Sequence, residues 1–153
     1  MAQRFNLQTA AKEPLGAMFA LEKYIAACGL DAKLIHLVKT RASQINGCAY
    51  CIDMHTKDAR AAGETEQRLY ALSAWRETPF FSERERAALA WTEAVTLIGG
   101  GVPDAVYHEA SKHFSEKELA DLTWVAVAIN AWNRIAISSR AEPGTYQPGK
   151  KVA

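Results

Sequence analysis

Two cysteines and one histidine lie close together in the middle of the sequence. Cys48 and Cys51 have two residues between them, and His55 is the fourth residue after Cys51. On an α-helix, residues four apart share a face, so Cys51 and His55 would be neighbours, with Cys48 on the same stripe. A thiol attacks only as a thiolate, and both a helix N-terminus and a nearby imidazole favour its ionisation. The segment therefore predicts a redox-active dithiol with a base beside it.

The spacing also bears on which thiol attacks. Because His55 is nearer in sequence to Cys51, it favours Cys51 as the nucleophile and Cys48 as the resolving thiol and proton donor. A helix N-terminus also activates its first residue, which leaves Cys48 open as the attacker. In either case, a sulfenic acid or mixed disulfide on one thiol can be converted by the other into an intramolecular disulfide.

Zinc binding is the main alternative for this pair. Zinc sites usually need four ligands, and His55 is the only close third candidate in the sequence. We therefore predict no metal and no cofactor. The third cysteine, Cys28, has no base or second thiol near it in sequence, and we interpret it as a small buried hydrophobic residue.

Bulk composition limits the possible partners and compartments. The 153 residues carry a formal net charge of +1 with interspersed charges, which predicts no nucleic-acid or anionic membrane partner. The longest apolar stretch, 124–129, is too short to cross a bilayer, and the N-terminus lacks the apolar run of a signal peptide. Three cysteines are too few for a structural disulfide framework. We expect a cytoplasmic protein.

Helical periodicity runs through nearly the whole chain, and no window alternates over the length of a strand. We predict an all-α fold of about seven helices in a single domain over 1–153, with a core at about 20–140 and a loose tail at 142–153. Glycines end several helices, and Ser82 with Glu85 forms a capping-box pattern. The predicted helices are 14–28, 31–44, 48–62, 65–77, 82–98, 103–114 and 116–140, with a glycine loop at 99–101.

The string around the cysteines resembles a known family. Cys-x-x-Cys-x-x-x-His, preceded by Ser-Gln-Ile-Asn-Gly and followed by Thr-Lys-Asp-Ala-Arg, is similar to the core of the alkylhydroperoxidase D-like (AhpD-like) proteins of the carboxymuconolactone decarboxylase superfamily. The resemblance extends from about residue 20 to 146. It implies an all-helical fold and peroxidase or thiol-disulfide activity, and our leading interpretation is a thiol-dependent peroxidase that reduces hydroperoxides. It also implies Cys51 as the sulfenic acid intermediate, Cys48 as its proton donor and disulfide partner, and His55 in a proton relay.

One position departs from the family pattern. Twelve residues before the first cysteine, where the characterised alkylhydroperoxidase D proteins have a relay glutamate, this chain has His36. A neutral imidazole can pass a proton, but it supplies no fixed negative charge to raise the basicity of His55. We include His36 among the candidate catalytic residues, with Glu22 as an alternative source of a carboxylate.

The resemblance also implies partners. They are a hydroperoxide substrate, an external dithiol or redox-protein reductant, and further copies of the chain in a homo-oligomer, commonly a trimer or hexamer. Two other interpretations stay open: a general thiol-disulfide oxidoreductase, and a redox- or metal-responsive oligomer without turnover. The decarboxylase branch is a weaker alternative, because it does not depend on the dithiol.

Overall fold

The computed structural model describes residues 2–149, which contain eight α-helices and no β-strand. The all-α prediction is therefore confirmed, with one helix more than predicted. The bounds are α1 Leu7–Ala10, α2 Lys12–Ala27, α3 Ala32–Asn46, α4 Ala49–Ala61, α5 Glu66–Ala71, α6 Glu83–Thr96, α7 Asp104–His113 and α8 Glu116–Ser139. Two 3₁₀ helices, Leu72–Glu77 and Ile98–Gly100, lie between them.

Most predicted helix starts are confirmed, because side-chain caps set them. The Asp31 carboxylate accepts the Leu34 amide at the start of α3, and Ser82 and Ser115 form capping boxes at the starts of α6 and α8. Helix α1 was missed, since its four residues are too few to show a periodic apolar face. The predicted glycine loop also differs, because Ile98–Gly100 forms a 3₁₀ turn.

Helix α3 lies at the centre of the molecule and packs against α4, α6 and α8. Leu37, Val38 and Ala42 along it are fully buried. Burying a side chain the size of leucine contributes roughly 1.5–3 kcal/mol, so this face anchors the helices around it. Cys28 packs only at the edge of this core and is half-buried, which corrects its interpretation as a buried residue.

Side-chain amides, of which that of Asn133 is fully buried, tie the end of α3 to α8. Asn46 donates to the side-chain oxygens of Asn130, at 2.9 Å, and Asn133, at 2.8 Å, and Asn133 donates to Ser43 at 3.0 Å. Because buried polar groups are costly when unpaired, this network fixes the position of the turn that follows α3. That turn carries the cysteine pair.

The predicted loose tail, 142–153, stays a prediction. Residues 141–149 form no helix, but Lys57 donates to the carbonyl oxygens of Gly144, at 3.2 Å, and Tyr146, at 3.1 Å. The Gly144 amide donates to Asp53 at 3.0 Å. This segment, 144–146, therefore runs along α4 and is called the C-terminal strap below; residues 150–153 lie outside the described part. No helix within 2–149 combines the length and apolarity needed to cross a bilayer.

Candidate active site

The cysteine pair lies at the start of α4, as the sequence predicts. Gly47 caps the end of α3. Its left-handed backbone (φ 70°, ψ 30°) favours glycine and turns the chain directly into α4. Cys48 is the N-cap of α4, and its sulfur accepts the amide of Cys51 at 3.3 Å. The structure pairs the two cysteines as a disulfide with a Cα–Cα distance of 5.4 Å, in the usual range.

The two cysteines differ in what they face. Both are almost completely buried, at 1% and 2% exposure, but Cys51 lines a cavity of about 710 Å³ and Cys48 does not. Both cysteines belong to the same buried cluster with Ala42, Ile129 and Ala136, so the cavity is what distinguishes them. A small molecule in the cavity would therefore meet the sulfur of Cys51 first.

The cavity lies between α2, α3, α4 and α8, and most of its lining is apolar. Phe19 and Trp132 form part of its wall, with ring centroids 5.6 Å apart. A mostly apolar wall that also carries polar groups is typical of sites for small organic ligands. The lining also includes six residues that carry a charge or can titrate near neutral pH, which are His36, His55, Lys39, Glu22, Asp58 and Glu142.

The fold brings His36 and His55 together. His55 is buried on α4, one turn after Cys51, and its ring centroid is 6.0 Å from that of His36 on α3. Within residues 2–149, neither buried Nδ1 atom has a hydrogen-bond partner. Burial lowers the pKa of His55 well below its usual value, and the positive charge of Lys39 acts in the same direction. Burial also lowers the pKa of His36, although the nearby carboxylate of Asp58 opposes the shift.

The carboxylate beside His55 belongs to Asp58, which the sequence analysis missed. Its Oδ2 lies 3.9 Å from Nδ1 of His55, and its Oδ1 accepts the hydroxyl of Tyr146 at 2.7 Å. Burial and this hydrogen bond raise the pKa of Tyr146. Asp58 could have been found, because it is three residues after His55 on the same helix face. Tyr146 carries no comparable local signal.

Glu22, the other predicted source of a carboxylate, already has two partners. It accepts Nζ of Lys39 at 2.5 Å and Nε1 of Trp132 at 2.9 Å. Glu22 lines the cavity, but its carboxylate is hydrogen-bonded to these two groups and not to the histidines. Lys39 is a second residue that the sequence analysis missed, since a lysine in mid-helix is ordinarily solvent-exposed.

Comparison with known proteins agrees with the fold and the motif. Residues 13–94, more than half of the chain, match the carboxymuconolactone decarboxylase family. The chain is 46% identical over 139 residues to the uncharacterised protein YdfG of Bacillus subtilis, covering 90% of this chain and 95% of YdfG. The chain belongs to the carboxymuconolactone decarboxylase family and, within it, to the AhpD-like proteins.

Solved structures give the same assignment. The crystal structure of ATU0492 from Agrobacterium tumefaciens, described as a protein of unknown function and a candidate antioxidant defence protein AhpD, superposes with a TM-score of 0.91. The two are 43% identical, and the match covers 95% of this chain and all of that one. The debrominase Bmp8, at 21% identity and a TM-score of 0.79, shares the fold over 88% of this chain and 74% of its own.

Proposed function

We propose that this protein is a thiol peroxidase that reduces organic hydroperoxides at Cys51. One observation carries the proposal: Cys51 and the imidazole of His55 line the same apolar cavity, while Cys48 lies behind Cys51 within disulfide-bonding distance. The likeness to ATU0492, described as a candidate for antioxidant defence, supports a peroxidase-related role. An apolar cavity favours a hydroperoxide with an organic group over hydrogen peroxide.

In the first step His55, in its neutral form, takes the proton of the Cys51 thiol. The resulting thiolate attacks the terminal oxygen of the hydroperoxide, and the O–O bond breaks. The sulfur loses two electrons and becomes a sulfenic acid, while the other oxygen leaves as an alcohol after it accepts a proton. A base with a lowered pKa stays unprotonated at neutral pH and is ready for this transfer.

In the second step Cys48 resolves the sulfenic acid. Its thiolate attacks the sulfur of Cys51, the S–O bond breaks, and the hydroxyl group leaves as water once it has been protonated. The product is the Cys48–Cys51 disulfide, the pairing that the structure has. An external dithiol or redox protein then supplies two electrons and two protons, which restores both thiols.

We propose that His36 and Asp58 complete the proton relay. Asp58 supplies the negative charge that His36 cannot, because its Oδ2 faces His55 while Tyr146 holds its other oxygen. A carboxylate at this distance stabilises the protonated imidazole that forms when His55 takes a proton. Glu22 would then act on the relay only through its charge.

Turnover of cumene hydroperoxide with dithiothreitol as reductant tests the proposal. We expect Cys51→Ser to abolish turnover. Without reductant, Cys48→Ser should consume one equivalent of hydroperoxide per chain, and a dimedone-type probe should capture the resulting sulfenic acid at Cys51. Cys28→Ser is the matched control and should turn over normally, because Cys28 is half-buried and outside the cavity lining. Full turnover by Cys51→Ser would refute the nucleophile assignment.

The same assay distinguishes the alternatives. A sensor without turnover would consume one equivalent of hydroperoxide in the wild type and stop, even with reductant present. A general thiol-disulfide oxidoreductase would reduce a disulfide substrate faster than the hydroperoxide. The cytoplasmic location and the trimeric or hexameric assembly stay predictions.

A further inference from the structure

Three metal-binding side chains meet in the wall of the cavity. His36 on α3 and His55 and Asp58 on α4 each direct a possible ligand atom to one place, and these atoms all lie within 4.8 Å of one another. The group includes neither cysteine. It is therefore different from the cysteine-based zinc site that the sequence analysis considered.

Each of the two histidines has a ring nitrogen without a hydrogen-bond partner. Nδ1 of His36 and Nδ1 of His55 are buried, and neither has a hydrogen-bond partner among residues 2–149. A buried polar atom without a partner costs free energy, and a bound ion would satisfy it. His55 is only 5% exposed and lines the cavity, so an ion would have to reach it through the cavity.

The surroundings of Asp58 resemble the outer shell of a metal site. The hydroxyl of Tyr146 donates to Oδ1 at 2.7 Å and thereby orients the carboxylate, with Oδ2 on the side of His55. Carboxylate ligands in metal sites are held by hydrogen bonds of this kind. Two imidazoles and one carboxylate suit first-row divalent ions, and the open cavity leaves positions for water.

We propose that His36, His55 and Asp58 bind one divalent transition metal ion, such as Zn²⁺, through two imidazole nitrogens and a carboxylate oxygen. The charges of the neighbouring side chains are compatible with a bound cation. Lys39 is the nearby cation, and its charge is matched by Glu22, 2.5 Å away. Asp58 then contributes a negative charge that attracts the ion.

The ion would inhibit the peroxidase, a consequence that rests on the proposed function. A neutral imidazole that binds a metal through one ring nitrogen carries a hydrogen on the other, so metal-bound His55 has no free lone pair to take the proton of Cys51 and the thiolate no longer forms by this route. Because dithiothreitol itself binds zinc, this is measured on pre-reduced protein freed of it, in a single turnover: micromolar zinc should slow the oxidation of Cys51 by hydroperoxide, and a chelator should restore the rate.

Binding is tested on the oxidised protein, in which neither Cys48 nor Cys51 can ligate zinc. All proteins carry Cys28→Ser, which removes the remaining thiol. Titration with ZnCl₂ in a calorimeter, and with CoCl₂ followed by its visible absorption, should give one ion per chain. We expect His36→Asn and Asp58→Asn each to weaken binding by about tenfold or more, and Tyr146→Phe by about tenfold.

His113→Asn is the matched control, because His113 lies 3.4 Å from Glu109 on the surface of α7 and should leave the affinity unchanged. The inference is overturned if the oxidised protein binds no ion, or if either His36→Asn or Asp58→Asn binds zinc as tightly as the parent. Circular dichroism confirms that each variant is folded, and using both variants keeps the test valid if one is not.

The two proposals fail separately. If the oxidised protein binds no zinc but the reduced protein turns over hydroperoxide, only the metal site is wrong. If zinc binds with the expected dependence on His36 and Asp58 but the protein has no turnover, the peroxidase is wrong and the metal site stands.

Discussion

The ion pair between Lys39 and Glu22 should stabilise the fold, and the loss of stability on breaking it can be estimated from its burial. Lys39 has a side-chain exposure of 6% and lies 2.5 Å from Glu22, whose side chain is 27% exposed. Replacing Lys39 with methionine keeps the length of the side chain but leaves the Glu22 carboxylate with Trp132 as its remaining donor. An unpaired carboxylate in a cavity wall is costly, so Lys39→Met should destabilise the fold.

The size of the effect follows from burial. Breaking a fully buried pair costs about 3–5 kcal/mol, but water reaches the partly exposed Glu22 and reduces this cost. We therefore expect Lys39→Met to lower the free energy of unfolding in urea by about 1–3 kcal/mol. Lys112→Met is the matched control, since Lys112 pairs with Glu109 at the surface and should cost less than about 1 kcal/mol.

The double variant Lys39→Met with Glu22→Gln separates the pair from the packing. Removing both charges leaves no unpaired carboxylate, so it should recover most of the lost stability. The explanation is wrong if Lys39→Met unfolds like the wild type, or if the double variant is no more stable than Lys39→Met.

The same substitution should change the histidines. The charge of Lys39 lowers the pKa of both His36 and His55, so removing it should raise both values. Titration of the imidazole resonances by NMR measures the shift, with EDTA present to exclude metal. Unchanged titration curves would mean that Lys39 does not act on the relay.

Three further predictions concern packing, pH and the cavity. Leu72→Ala should cost about 2–5 kcal/mol in urea unfolding, because Leu72 is fully buried, whereas the 77% exposed Tyr70 should tolerate alanine within about 0.5 kcal/mol. The pKa values of His36 and His55 are lowered in the folded protein, so below about pH 6.5 the unfolded chain binds more protons than the folded one. The free energy of unfolding should therefore decrease as the pH is lowered below about 6.5, by up to ~1.4 kcal/mol per pH unit for each histidine. Urea unfolding in EDTA at several pH values measures this, and a His55→Gln variant with the full wild-type pH dependence would contradict it. Phe19→Ala should raise KM for cumene hydroperoxide more than for hydrogen peroxide, because Phe19 lines the cavity with Trp132; equal changes would contradict a role in binding the organic group.

The sequence determined the features that depend on local spacing. Helical periodicity and capping residues such as Ser82 indicated the helices, because each cap bonds to an amide within the same turn. The order Cys48, Cys51, His55 likewise indicated a dithiol at a helix N-terminus, since residues one turn apart on a helix must be neighbours. The short helix α1 was not predicted, because four residues are too few to show the periodicity of an apolar helix face.

Tertiary structure decided which side chains surround the dithiol. His36 lies on a different helix from His55, and Tyr146 reaches Asp58 from the strap, 88 residues further along the chain. Helix α2 packs on α8, and its position pairs Glu22 with Lys39 of α3 rather than with a histidine. The cavity, which is lined by Cys51 but not by Cys48, is also a product of helix packing. Contacts between distant segments depend on how whole helix faces pack together, and local sequence patterns do not contain that information. The sequence therefore predicted the position of the dithiol, whereas the tertiary structure determined which residues surround it.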